Sequence, residues 1–80
     1  MPLVITKLYA WIMIDEDGDE AVPAWHHPDL GWVPMIGADE ARMESLRPHV
    51  QVTANQRGVM AVLKVFAHGT VIDQINPIPL

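Results

Sequence analysis

A run of six residues, Asp15-Glu16-Asp17-Gly18-Asp19-Glu20, separates an apolar stretch ending at Ile14 from another beginning at Ala21. Asp17-Gly18 supplies a positive φ at little cost, so the run reads as a hairpin turn between two antiparallel strands. The strand before it, 3–14, is rich in β-branched and aromatic residues, which suit a pleated surface. Alternation places Leu8, Ala10, Ile12 and Ile14 on one side and Tyr9, Trp11 and Met13 on the other. Both faces are apolar, which predicts a central strand.

After the turn, Ala21-Val22-Pro23-Ala24-Trp25 is expected to return as a short or edge strand, because Pro23 has no N–H to donate. His26-His27-Pro28-Asp29-Leu30-Gly31 reads as a second turn. Trp32-Val33-Pro34-Met35-Ile36 reads as a third strand, closed by Gly37. Asp39 and Glu40 then suit the positive end of a helix. Met43, Leu46, Val50, Ala54 and Arg57 recur at three- and four-residue spacing as one amphipathic stripe. Pro48 interrupts it, so the stretch 39–56 is expected either as one kinked helix or as two short helices, the second with Pro48 near its first turn. Gly58 is the expected C-terminal cap. Val59 to Phe66 reads as a buried strand, Ala67-His68-Gly69 as a turn, and 70–75 as a last strand. The expected fold is therefore α+β over residues 1–80 as one domain. It has a small, mainly antiparallel sheet of four to five strands, in the order β-β-β-α-β-β, with one Pro-kinked helix on one face.

Composition narrows the function. Ten acidic residues against five basic ones set the net charge at −5. Direct nucleic-acid binding draws its affinity from Lys and Arg and is not expected. With no cysteine there are neither disulfides nor thiolate metal sites. The first apolar stretch is interrupted by Lys7 and falls short of the roughly 20 residues that span a bilayer. It also lacks the features of a secretory leader, so no membrane association and a cytoplasmic location are expected.

Candidate chemistry is sparse. Asp15, Glu16, Asp17, Asp19 and Glu20 hold half of the acids. Counted from Asp15, the EF-hand positions for Gly and for the bidentate Glu fall on Glu20 and His26, so that calcium pattern fails. His26, His27 and Asp29 suggest a metal, but neighbouring strand residues point to opposite faces and no other ligand spacing accompanies them. Ser45 is the only serine and lies within the helical stretch rather than on a nucleophile elbow. No catalytic residue, metal site or cofactor is expected, and the chain reads as a non-enzyme.

Three tryptophans are many for this length. If the helix covers the Leu8/Ile12 face, Tyr9, Trp11, Met13, Trp25 and either Met60 or Val62 gather on the uncovered one, where aromatic residues serve as anchors for a partner. The competing expectation is that these rings complete a thin core. Arg42, Arg47 and Arg57 interleave with Glu40 and Glu44 and read as a solvated mixed face.

The layout of Asp15-Glu16-Asp17-Gly18-Asp19-Glu20, Pro23, Gly31-Trp32-Val33-Pro34, Ala38-Asp39-Glu40-Ala41-Arg42 and Leu46-Arg47-Pro48 resembles that of small proteins from bacteria and their phages. In size and acidity the chain is similar to phage-encoded inhibitors, including anti-CRISPR proteins. The resemblance implies no activity of its own. It agrees with a protein-binding module whose acidic tip (Asp15, Glu16, Asp17, Asp19, Glu20) and tryptophans (Trp11, Trp25, Trp32) meet a basic surface of a protein partner, such as a nucleic-acid-binding host protein. The other expectations are a homo-oligomeric accessory protein, pairing through its sheet face or edge strand, and a divalent-metal enzyme built on His26, His27 and Asp29.

Overall fold

A computed structural model describes residues 2–79. β1 (Lys7–Ile14) is the centre of a four-stranded antiparallel sheet. Along one edge it pairs over its whole length with β6 (Met60–Ala67), from Lys7 opposite Ala67 to Ile14 opposite Met60. Along the other it pairs with two short strands. β2 (Glu20–Ala21) lies opposite Ile14 and Met13, and β5 (Ile36–Gly37) opposite Ala10 and Tyr9. Between these two, Met35 bridges the gap: its carbonyl accepts from Trp11 N at 3.1 Å and its N–H donates to the Pro23 carbonyl at 3.0 Å. β3 (Ala24–His27) and β4 (Gly31–Pro34) form a separate antiparallel hairpin.

The prolines explain why the expected second and third strands are each divided. Pro23 separates β2 from β3, and Pro34 ends β4 just before β5. Neither residue can donate a ladder hydrogen bond, so the chain changes partner there. The expected hairpin turn forms with a three-residue loop. Gly18 adopts φ 85° and donates to the Asp15 carbonyl, while Asp15 N donates to the Asp19 carbonyl.

The helical stretch resolves into two helices, not one kinked helix: α1 (Glu40–Ser45) and α2 (Arg47–Arg57). Asp39 caps α1 by accepting the Ala41 N–H at 2.8 Å. Leu46 ends α1 and starts α2, so Pro48 falls in the first turn, where a missing N–H costs no intrahelical bond. Gly58 closes α2 with φ 64°. Among the described residues, no helix is long and apolar enough to cross a membrane.

Two further expectations are corrected. Residues 70–75 form no strand here; Val71, Ile72 and Ile75 stand exposed. The helices also cover the face of β1 opposite to the one assumed above. Trp11 and Met13 are buried together with Met35, Met43, Leu46 and Val50, and Ala61 and Leu63 of β6 pack around them. The stripe of Met43, Leu46 and Val50 found its seat on the wider side chains. Leu8, Ile12 and Ile14 face the other way.

Candidate functional site

The acidic tip is built on one side chain. Asp15 Oδ1 accepts the backbone N–H groups of Asp17 and Asp19, both at 2.9 Å, which closes the loop. This brings carboxylate oxygens of Asp15, Asp17 and Asp19 within 4.8 Å of one another, all exposed. Glu16 is exposed beside them. Glu20 is not part of the free cluster, because it pairs with Lys64 of β6. In the register of the sheet Lys64 lies opposite Ala10 and Glu20 opposite Ile14, so this ion pair crosses β1 above Ile12.

The three tryptophans separate. Trp11, expected among the partner anchors, is core instead: it is 4% exposed and its Nε1–H donates to the Met43 carbonyl at 2.9 Å. Arg47 lies over its ring, 5.1 Å from the centroid, and forks onto the Glu44 carboxylate with two 2.9 Å bonds. Those bonds hold Glu44 below its ordinary carboxylate value and Arg47 above its own. Arg47 is solvated, as the sequence suggests, while its guanidinium also lies over the ring of a core residue. Trp25 is half-buried and stacks on His49 at 5.3 Å, with its Nε1–H lacking a hydrogen-bond partner. Trp32 is the exposed one, at 72%, with His26 against its edge. Of the three rings, this is the one that is fully at the surface.

The His turn is structural in its contacts. His27 Nδ1 accepts the N–H groups of Asp29 and Leu30, at 3.1 and 3.3 Å. His26 faces Trp32 while His27 faces Trp25, so the two imidazoles diverge. Ser45 Oγ donates to the Arg42 carbonyl at 2.6 Å. Tyr9 is raised above its ordinary pKa by burial, and the carboxylates of Glu40 and Asp39 add to the shift.

What sequence reasoning missed is the exposed sheet face. Leu8 and Ile14 of β1 share it with Ile36 of β5 and with Met60, Val62 and Phe66 of β6, by register, while Ala10 and Ile12 at its centre are themselves buried. Val22, following β2, extends the row opposite Ile12. Leu8, Val22, Ile36, Met60 and Phe66 are each more than two-fifths exposed. Both helices pack on the reverse. The signal was present in the parity of Phe66 with Lys64, a charged residue that a fully buried strand would not carry. On the helix side, a groove of about 550 Å³ runs between α2 and β6.

No family model, curated protein or solved structure matches the chain, so these arrangements carry the functional argument.

Proposed function

We propose that this chain is a non-enzymatic protein-binding module. Its contact surface is the open face of the sheet, and its acidic tip steers it toward a partner with a basic surface. The observation that supports this best is the open face itself: five large exposed apolar side chains share one side of the sheet, with the Glu20–Lys64 pair crossing between Met60 and the other four. Exposed apolar side chains concentrated on one face and bordered by charge mark an interaction site. Beyond the Ile14 end of that face, the exposed carboxylates of Asp15, Asp17 and Asp19 add a concentrated negative charge, which accelerates encounter with a basic partner. Where such a surface normally holds nucleic acid, the tip competes with phosphates, and the module acts as an inhibitor by covering it.

The test is capture from bacterial lysate at low and high salt, using the chain and two variants. Leu8→Gln with Ile36→Gln removes apolar contact from the open face without touching the core. We expect it to reduce binding about tenfold or more at both salt concentrations. Asp15→Asn, Asp17→Asn and Asp19→Asn together leave an acceptor at position 15 for the loop. This triple variant is expected to slow association several-fold at low salt and to leave high-salt binding nearly unchanged. Undiminished capture by the open-face variant would refute the reading.

A further inference from the structure

Among the described residues, β6 pairs with β1 alone. His68 N donates to the Thr6 carbonyl, so the even-numbered residues of this strand turn their backbone groups toward β1. The odd-numbered ones, Ala61, Leu63, Val65 and Ala67, therefore present theirs at an open edge. Directly after β6 comes a stretch with the composition of a strand, Thr70-Val71-Ile72-Asp73-Gln74-Ile75, which pairs with nothing; Val71 is 83% and Ile72 95% exposed. An open edge and an unpaired strand-forming segment are complementary liabilities.

Their register agrees. Setting Ala67 opposite Thr70 places Phe66 by Val71, Val65 by Ile72, Lys64 by Asp73, Leu63 by Gln74 and Val62 by Ile75. Apolar residues then meet apolar ones, and the one base on β6 faces the one acid of the segment. The odd residues of β6 fall in the hydrogen-bonded pairs, as their outward backbone groups require. Val71, Asp73 and Ile75 would extend the open sheet face. Ile72 and Gln74 would project toward the groove between α2 and β6.

We infer that residues 70–75 dock on β6 of a second copy, and that the chain forms a strand-exchanged homodimer. The stretch before β1 favours a second copy over the chain's own β6. Leu3, Val4 and Ile5 are also exposed. Continuing the β1–β6 register past Thr6 and His68 sets Val4 beside Thr70 and Leu3 beside Val71. A segment folded back onto its own β6 leaves Leu3 to Ile5 without a partner. His68 holds φ 62° where the segment leaves β6, outside extended geometry, so the exchange opens His68-Gly69 as its hinge; the extended segment then lies between those residues and β6 of the second copy, and the twofold symmetry of the exchange repeats the arrangement. The area matches too. The chain exposes 6750 Å², whereas a compact monomer of its mass exposes about 4,800 Å². The excess, roughly 1,900 Å², is on the scale that one subunit of an obligate homodimer covers.

The chain has no cysteine, so Phe66→Cys with Val71→Cys reports the pairing directly. Both positions are exposed and neither lies in the core. On oxidation at low protein concentration the expected product is a covalent dimer, and unmodified protein at tens of micromolar should scatter light as a dimer. An internal disulfide in a monomer, or no disulfide, would overturn the exchange. Ile72→Pro removes the N–H facing Val65 while leaving every core contact in place. It should raise the dimer dissociation constant about tenfold or more, with an unchanged circular dichroism spectrum. A dimer indifferent to Ile72→Pro would also overturn it. This proposal and the binding-module reading fail separately. A monomer whose capture still depends on Leu8 and Ile36 leaves the module standing, and a dimer whose capture ignores them leaves only the exchange.

Discussion

Trp11 joins the two layers through a single hydrogen bond. Met43 lies in the last full turn of α1, whose carbonyls a helix end leaves short of partners. The Met43 carbonyl accepts the Leu46 N–H at 3.2 Å, and the Trp11 indole N–H adds a shorter bond to it from the sheet. Trp25 offers the contrast: a similar ring packed against the same core, with its Nε1–H unpartnered. Trp11→Phe is expected to cost about 2–3 kcal/mol, from the lost bond and lost volume together. Trp25→Phe should cost less than about 1 kcal/mol, because removing an unsatisfied buried N–H offsets part of the lost packing. Urea denaturation midpoints decide between them, and equal losses would contradict the role given to the Met43 contact. Glu44 makes a prediction of sign. Arg47 lowers its folded pKa from the ordinary 4.5, so the pair stabilises the fold above that value and loses its effect as the pH falls through the lowered one. The pair is solvent-exposed, so the effect is small. Glu44→Gln should therefore destabilise slightly at neutral pH and not at all in acid, as read from paired thermal melts.

At the scale of elements, the helices depend on their ends. Six residues are too few for α1 to persist alone, so the Asp39 cap and the buried Met43 hold it in place. Asp39→Ala should cost about 1 kcal/mol. Gly58 takes the left-handed conformation that closes α2, and its N–H donates to the Ala54 carbonyl. Gly58→Ala should cost about 1–2 kcal/mol, since a Cβ strains that conformation. Both losses would appear as lower urea midpoints, and Gly58→Ala without any loss would show that the turn can relax. These ends were legible in the sequence because capping is local: Asp39, Pro48 and Gly58 announce themselves without tertiary context. The division at Leu46 follows from the same chemistry, since Pro48 cannot donate to the Glu44 carbonyl and its ring crowds that oxygen.

At the scale of the whole molecule, the shape is extended. The radius of gyration is 15.6 Å, against about 12 Å for a compact domain of this length. The β3–β4 hairpin stands apart from the main sheet, and residues 68–79 add no regular structure. Among the described residues, eight hydrophobic ones form the buried core while sixteen large ones are exposed, so much of the apolar half of the chain is not used internally. A strand-exchanged dimer would join two sheets edge to edge and make their open faces continuous. The proposed binding surface would then double without any new residue.

The sequence by itself determined the local features: the turn at Gly18, the weak edge pairing around Pro23 and Pro34, the caps at Asp39 and Gly58, the helical stripe, and the clustering of acids. Each depends on backbone preferences over a few residues. Which face of β1 the helices would cover was not legible, because Leu8-Ala10-Ile12-Ile14 and Tyr9-Trp11-Met13 are both apolar and alternation cannot rank them. Only the packed structure placed Trp11 inside, left Trp32 outside, paired Glu20 with Lys64, and withheld a partner from residues 70–75. Those outcomes are set by contacts between residues far apart in the chain, where the shapes and areas of whole layers decide.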